Sequence, residues 1–131
     1  MTEKPTQIGK ISAEFFKQVI FPNLGAESAK VLVGPRHGVD VGIVEIAEGT
    51  VMALTTDPIF VVPEYGWERA AWFAVQILAS DAATSGLPLA YAAFDLNLPA
   101  SITDPELEIL WKSLAGECKA LGISVVTGHT A

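Results

Sequence analysis

A chain of 131 residues is one domain's worth, and its formal net charge of −7, with eight scattered Lys and Arg, leaves no basic stripe for nucleic acid. Half of the residues are hydrophobic and the mean hydropathy is +0.41, yet no apolar run is long enough to span a bilayer. The apolar excess therefore points either to a subunit or domain interface or to a core rich in Ala and Val.

The start, Met1-Thr2-Glu3-Lys4-Pro5, is polar with no apolar stretch behind it. No signal peptide is expected, residues 1–10 read as a flexible arm, and the expected location is cytoplasmic. Ser12 is placed to cap a short helix to about Val19, which Pro22 and the Asn23-Leu24-Gly25 turn bring to an end. Residues 30–34 read as a short strand. Val41 to Ile46 and Val51 to Thr56 form an antiparallel hairpin about Glu48-Gly49, and Pro58 to Tyr65 reads as a loop.

Gly66 to Ser85 has Trp67, Ala70, Ala71, Ala74, Ile77, Leu78 and Ala82 at helical spacing. This helix is apolar nearly all round and is expected to lie buried between layers, with Gly86 and Pro88 stopping it. Leu89 to Leu98 alternates as a strand, Tyr91, Ala93, Asp95 and Asn97 opposing Ala90, Ala92, Phe94 and Leu96. Thr103-Asp104-Pro105-Glu106 is a capping box with proline in the first turn. Leu107, Leu110, Trp111, Leu114 and Leu121 then mark a helix face, ended by Gly122. Cys118, the only cysteine, falls in the same pattern, so no disulfide or cysteine metal cluster can form within one chain. Ile123 to Val126 is a final strand, and Gly128-His129-Thr130 reads as a turn. The order of elements predicts an α/β sandwich with one layer of mixed sheet.

Asp40, Asp57 and Asp81 stand just past apolar runs. A carboxylate beside buried residues is costly unless a cation or hydrogen bonds satisfy it. Mg²⁺ is the cation that takes carboxylates together with a phosphate ligand. Each Asp also has an ordinary reading. Asp40 sits in a Gly-flanked turn, Asp57 precedes Pro58 as turn-starting Asp often does, and Asp81 can face solvent on a polar stripe with Gln76 and Thr84. Asp81 is the hardest to dismiss, because a carboxylate near a helix C-terminus opposes the macrodipole. His37 and His129 are too far apart for a local metal pattern, and neither a P-loop nor a dinucleotide fingerprint is present.

Taken in order, Gly38-Val39-Asp40-Val41, Thr55-Thr56-Asp57, Ser80-Asp81-Ala82-Ala83-Thr84-Ser85-Gly86 and Thr127-Gly128-His129-Thr130 resemble the motifs of one family. That family is the N-terminal domain of the AIR synthase-related (PurM-like) superfamily. It includes aminoimidazole-ribonucleotide (AIR) synthase, thiamine-monophosphate kinase, selenophosphate synthetase, formylglycinamidine synthase and the hydrogenase-maturation dehydratase HypE. The resemblance covers roughly residues 8–131, and the Thr84-Ser85-Gly86 ending looks most like the HypE branch.

The resemblance implies an α/β fold with a mixed four-stranded sheet, helices on one face, and sheet pairing across a homodimer into a β-barrel. It implies ATP and Mg²⁺ as cofactors. Asp40, Asp57 and Asp81 would be metal ligands, and Thr56, Asp57, Ser80, Gly128, His129 and Thr130 would lie at the nucleotide. Phosphorylation of a carbonyl- or amide-type oxygen is the implied chemistry, with a small-molecule kinase or a non-catalytic dimerisation or nucleotide-sensing module as alternatives. A C-terminal domain completes the cleft in this family, so residues 1–131 are expected to be one domain that does not turn over by itself. A hydrogenase-maturation protein is the expected partner, and neither nucleic acid nor membrane is. Ser80 stands where the family has Asn, and His129 stands where it has an acidic residue, which removes one carboxylate from the set.

Overall fold

The computed structural model describes residues 11–130, so the arm read at residues 1–10 lies outside the described residues. Helix α1 (Ala13–Phe15) is capped by Ser12, whose Oγ accepts a hydrogen bond from the Phe15 amide at 3.1 Å. The chain then widens into a π-helical turn, Phe16–Ile20, and tightens into a 3-10 turn, Phe21–Asn23. The regular helix predicted to Val19 is thus broken early. Pro22 has no amide to donate, so the ladder cannot run on through it.

Strands β1 (Val31–Val33), β2 (Gly42–Ala47) and β3 (Thr50–Leu54) form an antiparallel sheet in that order. The hairpin turns at Glu48-Gly49, where Gly49 takes a φ of +70° that a side chain would strain. Strand β4 (Ile59–Phe60) begins a second unit with α2 (Trp67–Ala83), β5 (Tyr91–Asn97), α3 (Asp104–Ala120) and β6 (Ser124–Thr130). Strands β4, β5 and β6 are parallel, with β5 in the centre. Two successive right-handed crossovers moving the same way along a sheet put both helices on one face. The burial pattern agrees: Ala92, Phe94 and Leu96 turn toward the helices while Tyr91, Ala93, Asp95 and Asn97 stand on the open side.

The core lies between that sheet and the helices. It contains Ile59, Val61, Val75, Phe94, Leu96, Leu110, Leu114 and Cys118, Leu114 being fully buried at 0% exposure. Ala70, Ala71 and Ala74 line the inner face of α2. Side chains this small let α2 come close to α3. The other face of α2 presents Trp72, Phe73 and Ile77 to the exterior, so the helix is buried on one side rather than all round. Helix α3 starts with the predicted capping box: the Thr103 amide donates to Glu106 Oε2 at 2.9 Å, and the Thr103 hydroxyl donates to the same oxygen at 2.7 Å.

Three expectations are revised. The predicted mixed four-stranded sheet is instead one antiparallel and one parallel sheet, each of three strands. Strand β3 ends at Leu54, residues 55–58 pass between the sheets, and the chain resumes at Ile59 in the second sheet. Residues 59–60, read as loop, are therefore strand. The final strand also runs on to Thr130, so Gly128-His129-Thr130 is extended rather than a turn.

Candidate functional site

Asp57 stands on the short passage between the sheets. It is half-buried, with Oδ2 shielded from solvent. Ile59 of β4 pairs with Leu96, and Phe94 of β5 pairs with Gly128 of β6. Counting back two residues from Ile59 sets Asp57 level with Phe94, and so with Gly128. Two strand spacings, roughly 10 Å, then separate Asp57 from Gly128 across the sheet. The resemblance had assigned these residues to one site from separate segments; Asp57 itself lies two residues before the parallel ladder begins at Ile59.

Asp40 joins from the other sheet. Gly42 pairs with Leu54 and Ile43 with Ala53, so the register continued by two residues sets Asp40 across from Thr56. Asp40 itself is exposed, following a turn in which the Val39 amide donates to the Arg36 carbonyl at 3.2 Å. Asp40 and Asp57 thus stand on neighbouring segments where the antiparallel sheet hands over to the parallel one.

Asp81 is half-buried near the end of α2. It follows Ala74 by seven residues and Ala70 by eleven, so it continues the buried row rather than the polar stripe of Gln76. Helix α2 runs against the strand direction, which brings its last turn down beside the start of β5. There Ala82 and Ser85 share a groove of about 620 Å³ with Thr55, Thr56 and the first half of β5. The hydroxyls around Asp81 serve the helix end. Ser80 Oγ donates to the Ile77 carbonyl at 2.8 Å, Thr84 Oγ1 to that of Asp81 at 2.7 Å, and Ser85 Oγ to that of Ala82 at 2.7 Å. The last two reinforce the turn that ends the helix, where the Thr84 and Ser85 amides donate to the same Asp81 and Ala82 carbonyls, each at 3.1 Å.

A second recess of about 400 Å³ runs along β6, where Gly128, His129 and Thr130 meet Phe94, Leu96 and the indole of Trp111. Thr56 thus opens on one recess and Gly128 to Thr130 on the other, with β5 between them. Among the described residues, no three His, Cys, Asp or Glu side chains converge as a metal-holding group. Gly128 has a steric reason of its own: a Cβ there would lie 2.5 Å from the carbonyl oxygen of Phe94. Cys118 lies apart from both recesses in the core, its thiol pKa raised first by burial and second by the charge of Glu117. Such a thiol is a core packing group, not a nucleophile.

Sequence reasoning set Asp95 on the strand face opposing Phe94 and Leu96 but did not connect it with His129. The two are register partners on β5 and β6. Trp111 was likewise read only as core, and it walls the second recess. Alternation along a single strand carries the facing of Asp95, but nothing local reports which residue of a distant strand lies beside it.

The chain can also be set against known proteins. Residues 38–131 match the family model described as AIR synthase related protein, N-terminal domain. No curated protein matches the chain. The family match takes in Asp40, Thr56, Asp57, Ser80, Asp81 and the run from Gly128 to Thr130, and it spans more than half of the sequence. The chain therefore belongs to the AIR synthase-related family, in which this region is the N-terminal domain.

Proposed function

We propose that this domain binds ATP with Mg²⁺ and dimerises through its sheets, as the N-terminal part of a HypE-like enzyme that phosphorylates a carbonyl- or amide-type oxygen. The observation that carries this reading is the family match over residues 38–131, which takes in Asp40, Thr56, Asp57, Asp81 and the run from Gly128 to Thr130. The donors there are carboxylate and hydroxyl oxygens, which suit Mg²⁺ better than a softer ion. Mg²⁺ commonly takes one or two protein carboxylates and completes its shell with phosphate oxygens and water, so the lack of a converging triad does not disqualify the site. Asp57 and Asp40 would hold one ion, and Asp81, beside the groove that Thr56 opens on, would serve a second. When bound, the metal neutralises charge developing on the transferred phosphoryl group. Thr56 and the segment from Gly128 to Thr130 would orient the nucleotide, with Ser80 near it.

Support for dimerisation comes from surfaces. The open side of the parallel sheet exposes Phe60 at 73% and Tyr91 at 76%, and parallel sheets are normally covered on both faces. The antiparallel sheet exposes Val31, Leu32, Ile46, Val51, Met52 and Leu54. A second copy closing both sheets into a barrel would cover this area. The Thr84-Ser85-Gly86 ending supports the hydrogenase-maturation branch and a maturation protein as partner.

His129, in place of an acidic residue, favours a second reading: a dimerisation or nucleotide-sensing module without turnover. Calorimetry of ATP with Mg²⁺ on the full-length protein separates the two. Saturable binding that needs Mg²⁺ and is lost in both Asp57→Ala and Asp81→Ala supports the enzyme. No binding, or binding indifferent to both changes, sinks it.

A further inference from the structure

Trp111 belongs to none of the motifs that carry the family resemblance, yet it shares the recess of about 400 Å³ with Gly128, His129 and Thr130. A volume of this size falls within the range of small-molecule sites. Helix α3 packs Leu110 and Leu114 into the core, at 1% and 0% exposure, and leaves Trp111 41% exposed on its flank. Phe94 and Leu96, both buried, give the recess an apolar floor. Among the described residues, no Asp, Glu, Lys or Arg side chain lines it.

Consecutive residues of β6, from Val125 to Thr130, line the same space. Side chains alternate between the faces of a strand, so a recess on one face alone would meet every second residue. This one therefore reaches the strand's backbone. Among the described residues β6 pairs with β5 alone, so its outer edge directs backbone N–H and C=O groups away from the sheet.

We propose that this recess holds the adenine base of ATP, with Trp111 stacked on its ring. The inference rests on the nucleotide-binding reading above and names the residue that recognises the base. A recess without charged side chains does not suit a phosphate, whereas a flat, neutral heterocycle fits it. Stacking on an indole asks only for the π-face that every base has. Adenine also sets an N6 amino donor beside its N7 acceptor, and a strand edge offers acceptors and donors in alternation. The base and the backbone of Gly128, His129 and Thr130 then share one recess, and the triphosphate is left to the metal.

Calorimetry on the full-length protein with Mg²⁺ tests this by comparing ATP with inorganic tripolyphosphate, which has the phosphates without the base. Trp111→Ala is expected to weaken ATP binding at least about fivefold, the low end of what one stacked base is worth. Trp111→Phe, which restores a ring, is expected to recover most of that affinity, and tripolyphosphate is expected to bind wild type and Trp111→Ala alike. In a chain carrying Trp67→Phe and Trp72→Phe, ATP is expected to quench the emission that a further Trp111→Phe removes. Equal ATP affinity in wild type and Trp111→Ala overturns the inference and leaves the nucleotide reading standing. Equal losses for ATP and tripolyphosphate make Trp111 a support for β6 and also overturn it, as does a Trp111→Phe chain no better than Trp111→Ala. Wild type that binds no ATP overturns the nucleotide reading and the inference with it. Where circular dichroism shows Trp111→Ala unfolded, or tripolyphosphate binds too weakly to measure, the quench decides: ATP without effect on Trp111 emission overturns the inference.

Discussion

Gly128 shows how one residue can carry two explanations. Its place in the family motif points to the nucleotide, while the backbone of Phe94 leaves no room for a side chain at that position. Gly128→Ala must push β6 away from β5, and forced overpacking of this kind costs about 1–3 kcal/mol. The expected outcome is a lower thermal midpoint with or without ATP, measured by circular dichroism; an unchanged midpoint with weakened ATP binding would assign the glycine to the ligand alone. The candidate aspartates were legible in the sequence because a carboxylate beside apolar residues is conspicuous wherever it lies. The steric role of Gly128 was not, because its cause is a carbonyl on another strand, and a glycine near the end of an apolar run reads equally well as a turn.

At the scale of elements, what was local was readable. The capping box at Thr103 and Glu106, the glycine stop after α2 and the hairpin about Gly49 each depend on a few consecutive residues, and each is present. The Glu106 carboxylate is held below its ordinary pKa, chiefly by the Thr103 amide, next by the Thr103 hydroxyl. A depressed carboxylate contributes stability above its unfolded pKa and loses it as pH falls through the folded value. Glu106→Gln is therefore expected to lower the thermal midpoint at neutral pH, with the gap to wild type closing as the solution is acidified below the carboxylate range; calorimetric melts over that range check it. Strand β4 was missed because two residues between prolines carry no periodicity. Its identity comes from pairing with Leu96 and Asn97, which is a long-range fact.

For the molecule as a whole, composition left open an interface or a core rich in Ala and Val, and the fold shows where apolar side chains stand exposed. Half of the chain is apolar, yet the core between α2, α3 and the parallel sheet uses only part of that material, and Phe60, Tyr91 and the antiparallel sheet hold much of the remainder at the exterior. Phe60 is exposed in the single chain, so Phe60→Asp should leave the fold intact. Placed in a closed interface, the new charge would be stranded. Light scattering is expected to show a dimer for wild type and a monomer for Phe60→Asp at matched micromolar concentration, and two equal masses would remove this face from the interface. The α/β class was legible from the order of elements. The division into two sheets was not, because strand direction is decided by the crossovers rather than by any residue pattern within a strand.

Residues 55–58 are the covalent seam between the sheets, and contacts across that seam are sparse among the described residues. Each half is held together chiefly by pairings within itself, so each has the makings of its own unit of unfolding. Asp40 belongs to the first half and Asp57 to the seam leading into the second. A ligand gripped by both, as proposed, would act as a rivet, adding its binding free energy to the cohesion of the halves and turning two loosely coupled melting units into one cooperative body.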